Sequence, residues 1–176
     1  MSTALCTADL PVRTTALPNQ LFAGSGVPSP GRMTAVTNAG GTKPRGGMWT
    51  STRTAAGRSE WVTFCEREYA AGLAGATHRV TLHVLPGARI AEVDSRADLA
   101  ALMASYSYLQ QGWGDRPQLD FEALAADFDG LHLTDNGETA MRSGYSGAEL
   151  YGWDFESTLW FRWAFAVPGT TAATTA

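Results

Sequence analysis

The sequence predicts an α+β fold: a single domain of mixed, mostly antiparallel sheets with two or three short helices. Three observations lead there. The 176 residues are enough for one domain of ordinary size. Strand-like and helix-like runs follow in the order β, β, α, β, β, α, α, β, β, not in the strict alternation of a doubly wound parallel sheet. The run Ser157 to Val167 alternates, with Leu159, Phe161, Trp163 and Phe165 on one side and Trp160 and Arg162 on the other.

The elements follow from local signals. Residues 1–20, rich in Ser, Thr, Ala and Pro, predict an irregular arm, and the domain proper is expected over 21–167. Leu21 to Gly26 is a short strand running into a glycine turn. A Pro- and Gly-rich loop over 27–47 leads to a β-prone run, Met48 to Thr52. Ser59 caps a helix to about Leu73, with Trp61, Phe64, Cys65 and Tyr69 on one buried face. Arg79 to Leu85 and Ala88 to Val93 are strands separated by Pro86-Gly87. Ser95 and Asp98 form a capping box for a helix to about Tyr106, and Asp120 starts another over Phe121 to Phe128. Leu131 to Leu133 is a strand closed by a turn at Asp135-Asn136-Gly137. Residues 168–176, Pro-Gly followed by Thr and Ala alone, predict a disordered tail.

Composition bounds the class. Hydrophobic residues make up 44% and charged residues 17%, and the 19 Gly and 8 Pro are not periodic, which excludes collagen-like and mostly disordered chains. No apolar run approaches the ~18–20 residues of a membrane span. Met1 to Leu10 lacks the basic and apolar regions of a signal peptide. Cys6 and Cys65 give neither a disulfide framework nor metal spacing. The expectation is a soluble, cytoplasmic protein with no membrane partner.

Charge is uneven. Residues 1–58 carry six basic side chains against Asp9 alone, whereas residues 59–176 carry seven against sixteen acids. A basic first third fits either a solvated loop segment or a face for a phosphate-bearing ligand or a nucleic acid.

Several chemistries are excluded by pattern. His78, His83 and His132 have no metal-ligand spacing, and His83, within an alternating strand, is expected at the surface or half-buried. There is no Gly-x-Ser-x-Gly elbow, and Cys65 lies on a predicted helix face, where a thiol is usually structural. Phosphate-binding loops and zinc-finger or heptad patterns are absent. One stretch does suggest chemistry: Tyr151-Gly152-Trp153-Asp154-Phe155-Glu156-Ser157. Period two predicts that Asp154 and Glu156 share a side at the start of the last strand. A carboxylate beside an oxocarbenium-like centre, with a second polar group to activate an acceptor, is what glycosyl transfer requires.

Three segments, in order, resemble the motifs of the mono-ADP-ribosyltransferase family. Leu21-Phe22-Ala23-Gly24-Ser25 resembles the first, with Ala23 where the family has Arg or His. Trp49-Thr50-Ser51-Thr52 resembles the second. Asp154-Phe155-Glu156 resembles the third, with Asp for its first acid. The resemblance implies an ADP-ribosyltransferase-like fold and NAD as substrate. It implies that Glu156 binds the nicotinamide-ribose 2′-hydroxyl and stabilises the oxocarbenium ion, and that Asp154 orients or deprotonates the acceptor. Ser51 would order the NAD-binding strand, Trp49 would wall the pocket, Gly24 would lie in the cofactor-binding strand, and Arg13 or Arg45 would meet the pyrophosphate. The acceptor is a macromolecule, protein or nucleic acid, and stays open. So does a different class: a non-enzymatic phage or mobile-element interaction protein with Trp113, Tyr145 and Trp153 exposed as an interface.

Overall fold

A computed structural model describes residues 10–13, 15–38, 43–109, 117–142, 150 and 152–166. Among these residues nine strands and four α-helices form one mixed α+β domain. The strands are β1 (Gln20–Gly24), β2 (Met48–Thr52), β3 (His78–Val84), β4 (Ile90–Val93), β5 (Ser107–Leu109), β6 (Pro117–Leu119), β7 (Gly130–Leu133), β8 (Ser157–Trp160) and β9 (Phe165–Ala166). The helices are α1 (Glu60–Arg67), α2 (Arg96–Ser105), α3 (Phe121–Asp127) and α4 (Asp135–Arg142). Seven strands make the main sheet in the order β4-β7-β8-β2-β1-β3-β9, and β5 and β6 pair separately as a hairpin. Only β4 and β7 run parallel. Ile90 of β4 and Phe165 of β9, at opposite ends of that order, share one apolar cluster with Leu82 and Trp160, so the sheet is curled.

Register assigns the two faces. Thr50 lies opposite Thr158, His132 opposite Thr158, and Gln20 opposite Thr52, so these side chains share the inner, concave face with Trp160 and Met48. Leu131, Leu159 and Trp49 alternate to the outer face. There they join Ala91, Val93 and Leu133 under Leu99 and Leu102 of α2 and Phe121 and Leu124 of α3, forming the larger core. Helix starts follow the expected caps. Ser59 accepts from Val62 N at 3.3 Å, Ser95 from Asp98 N at 3.3 Å and Asp120 from Ala123 N at 2.9 Å.

The structure corrects several expectations. Four α-helices stand where two or three were predicted, because Asp135-Asn136-Gly137 begins α4 instead of closing a turn. Thr134 Oγ1 accepts from Gly137 N at 3.0 Å and stops the strand by capping the helix. Gly137 is required there, since a Cβ would meet Val93 O at 2.1 Å. The helix from Ser59 ends at Arg67, followed by a separate 3₁₀ turn over Ala70–Leu73. Its fully buried side chains are Val62 and Cys65; Trp61 and Phe64 are half-buried and Tyr69 is exposed. The long final strand is two strands. Phe161 N and Arg162 N both donate to Asp129 O, and the chain bends over 161–164 before β9 pairs with β3. The side-chain alternation therefore breaks after Phe161: Leu159 and Phe161 join the outer core, while Trp163 and Phe165 join the inner cluster with Trp160. The hairpin β5-β6 had no sequence signal strong enough to predict it.

Of the N-terminal arm, Val12 bridges to Ala91, Arg13 N donates to Ile90 O, Leu17 is buried, and Gln20 already belongs to β1. The expected tail, 168–176, lies outside the described residues, as do Cys6, Trp113 and Tyr145. Among the described residues no helix is long and apolar enough to cross a membrane.

Candidate functional site

Two of the three motif segments lie on β1 and β2, and the third leads into β8. The sheet order places β8, β2 and β1 side by side. On their outer face, beside α1, lies a cleft of about 320 Å³, at the small end of the range for ligand pockets. Leu21 and Ala23 of β1, Trp49 and Ser51 of β2, and Ser157 of β8 form its floor. Lys43, Trp61, Trp153, Asp154 and Phe155 form its walls.

Aromatic packing fixes the walls. Trp153 meets Trp49 edge-on with ring centroids 4.5 Å apart, and stacks on Phe121 at 6.2 Å. Trp61 and Phe64 of α1 pack against Phe155 at 5.9 and 4.7 Å. This explains why α1 leaves both rings half-buried: they support the cleft instead of the core. Lys43 Nζ stands 5.7 Å from the Trp49 ring centroid. Arg142 of α4 donates from Nη2 to Asp154 O at 2.7 Å and pairs through Nε with Glu138, which pins the segment leading into β8. On the far side of Phe155 a second hollow, about 370 Å³, is bordered by Glu60, Thr63, Arg67 and Glu68.

Asp154 and Glu156 do not share a side. Asp154 is exposed and lines the cleft, whereas Glu156 is buried and turned to the inner face. The chain bends through 155–156 before β8 begins at Ser157, so strand periodicity does not apply across the pair. Glu156 Oε2 accepts from Thr52 N and Oε1 from Thr52 Oγ1, both at 2.8 Å. Burial pushes its pKa up to about 7; the two bonds from Thr52 oppose that, and Asp135 and Glu60 add to it. Glu156 does not line the cleft: it is bonded to Thr52, the neighbour of Ser51, on the opposite face of the strands.

Behind Glu156 runs a closed polar network. Gln20 Oε1 accepts from Thr50 Oγ1 at 2.8 Å and Thr158 Oγ1 at 3.0 Å. Gln20 Nε2 donates to Pro18 O and Thr52 Oγ1, both at 3.2 Å. Trp160 Nε1 donates to Thr50 Oγ1 at 2.8 Å. His132 Nδ1 lies 2.9 Å from Thr158 Oγ1 and 3.6 Å from Glu156 Oε1. Burial, then the Arg13 charge, pushes the imidazole pKa down to about 4, so His132 is neutral at physiological pH.

The other predicted residues sit elsewhere. Arg13 pairs with Glu92 at the β4 edge, three strands from β2. Arg45 is exposed in a loop bridged to Thr37. Gly24 ends β1 opposite His78, where a Cβ would strike the Phe22 ring at 2.4 Å. None of the three lines the cleft; Lys43 is its lining cation. Trp153 is 5% exposed, so it is a wall and not an exposed interface residue. Sequence reasoning passed over His132, Lys43 and Trp61. The available signal for His132 was its place between two leucines of a short apolar strand, which buries it. Among the described residues no cluster of His, Cys, Asp and Glu fits a metal ion.

The architecture is therefore a single α+β domain whose central strands carry an aromatic cleft on one face and a buried carboxyl network on the other. No protein-family model matches the chain, and no curated protein or solved structure matches it.

Proposed function

We propose that the chain is an NAD-dependent ADP-ribosyltransferase that transfers ADP-ribose to a macromolecular acceptor. The observation that carries this reading is the adjacency of β8, β2 and β1. Segments dispersed over more than 130 residues of sequence, each resembling one motif of that family, border one cleft. Its size suits one ring and its sugar, so a dinucleotide would seat one end there and leave the rest outside. Trp49, Trp61 and Trp153 offer ring faces and edges to the nicotinamide, and Lys43 offers a cation to the pyrophosphate.

In this reading glycosidic-bond cleavage leaves positive charge on the ribose; Asp154 is the carboxylate on the cleft side, and Glu156 lies behind the strands that form the floor. Asp154 faces the cleft and serves the acceptor; Glu156 stabilises the oxocarbenium ion by turning from Thr52 to the cleft when NAD binds. Replacing Glu156 with Gln is expected to keep the fold and lower nicotinamide release from NAD by ~10²–10³. Asp154→Asn is expected to spare NAD hydrolysis more than transfer. Wild-type protein that releases no nicotinamide with any acceptor would overturn the proposal. The inward orientation of Glu156 favours a second reading, a binding cleft without chemistry, which NAD binding without turnover would support.

A further inference from the structure

We propose that Arg79 of β3, with Arg58 beside it, forms a phosphate subsite next to the aromatic cleft and takes the diphosphate of a dinucleotide seated there. The proposal rests on the reading of the cleft as a nucleotide site. It adds two residues that belong neither to the three motif segments nor to the cleft lining.

Sheet register leads there. β1 lies between β2 and β3, and Ala23 pairs with Arg79 across the antiparallel ladder. Residues directly opposite in such a ladder share a face. Ala23 lines the cleft on the outer face, so Arg79 stands on that face one strand further out, about 5 Å away between backbones. The residue between Arg79 and the cleft is thus an alanine, with only a methyl to stand in the way. The cleft holds one ring and its sugar, and the group that follows the sugar in a nucleotide is a phosphate. A phosphate leaving the cleft over Ala23 meets Arg79 from β3 and, from the other side, Lys43 over the Trp49 ring of β2.

Charge supports the same placement. Arg58 Nη2 and Arg79 Nη1 hold the two carboxylate oxygens of Glu66 in α1, the second at 2.9 Å. Two positive side chains share one negative one, which leaves one positive charge in surplus. Both are nearly half exposed, at 45% and 46%, so an incoming anion can reach them. A guanidinium has five N–H donors in a planar fork. Each can therefore keep Glu66 and bind a phosphate oxygen as well, in the paired geometry that phosphate favours. The nearest acids in sequence, Glu60 and Glu68, border the hollow beyond Phe155 together with Arg67.

The test uses inorganic pyrophosphate as the probe, titrated by calorimetry into wild type, Arg79→Gln and Glu66→Gln. Nicotinamide riboside, which has the ring and the sugar but no phosphate, is the second probe. Exposed ion pairs add little to stability, so both variants keep the fold. Arg79→Gln is expected to weaken pyrophosphate binding about tenfold. Glu66→Gln is expected to tighten it about fivefold, because the competing carboxylate is gone. Nicotinamide riboside should bind all three proteins alike. Both substitutions break the same ion pair, so a role confined to holding α1 would move pyrophosphate affinity in the same direction in each. That result, equal pyrophosphate affinity in wild type and Arg79→Gln, or an equal loss of nicotinamide riboside, would overturn the proposal. Opposite shifts in a protein that releases no nicotinamide from NAD would sink the transferase reading and leave the phosphate subsite standing.

Discussion

The two faces of the central strands β2, β7 and β8 are built on opposite principles. On the outer face, Leu131, Leu133 and Leu159 are wholly buried among side chains of α2 and α3, and the contacts are apolar. On the inner face the same strands present Thr50, His132 and Thr158, also buried, but joined through Gln20. Two residues apart in sequence, Asp154 and Glu156 are divided between them: one carboxyl opens to the cleft and the other enters the network. The difference teaches that burial here has two currencies. The dry face is stabilised by area and packing; the wet face holds only while every donor meets an acceptor.

Mutations can sharpen that contrast. The largest effect is expected on the dry face, where Leu159→Ala or Phe128→Ala should cost roughly 3–5 kcal/mol by urea denaturation, since each side chain is fully buried. Gln20→Leu, nearly equal in volume, should cost roughly 2–4 kcal/mol, because it strands the Thr50 and Thr158 hydroxyls and frees Thr52 Oγ1. A loss under about 1 kcal/mol would mean that the inner face tolerates apolar packing and that the two faces do not differ in kind.

The pH dependence isolates the wet face. Glu156 has a folded pKa of about 7, above its ordinary 4.5, so its contribution to stability is full below pH 4.5 and is lost as pH rises to 7. His132 has a folded value of about 4, below its ordinary 6.5, so its contribution is full above pH 6.5 and is lost as pH falls to 4. Each amounts to roughly 3 kcal/mol across its window, and between pH 4.5 and 6.5 they oppose each other. In Glu156→Gln stability should therefore climb from pH 4 to 6.5, with the His132 contribution no longer opposed. In His132→Asn it should fall from pH 4.5 to 7. Equal slopes in the two variants would contradict the assignment. The smallest effect expected is Ser95→Ala, about 1 kcal/mol from loss of the α2 cap, with no change in pH dependence.

The sequence made the strand cores, the three helix caps and the α+β class legible because each rests on contacts within a few residues: an alternating run, or a Ser or Asp just before an apolar helix. It hid what depends on distant partners. The bend at 161–164 is fixed by Asp129 O, thirty residues upstream, which the alternation of Leu159 to Phe165 cannot reveal. Helix α4 begins where Asn136-Gly137 signals a turn, because Gly137 must pass Val93 O. In the site, Trp49, Ser51 and Asp154 do meet at one cleft. Arg13 and Arg45 do not, since a long basic side chain carries no local signal of what it will pair with.

The central claim is that NAD occupies the outer-face cleft between Trp49, Trp61 and Trp153. The indole N–H signals in a ¹H–¹⁵N spectrum test it most directly, because the described tryptophans divide between the faces. Titration with NAD should move Trp49, Trp61 and Trp153 and leave Trp160 and Trp163 of the inner cluster in place. A spectrum unchanged at millimolar NAD, or one in which only Trp160 and Trp163 move, would contradict it.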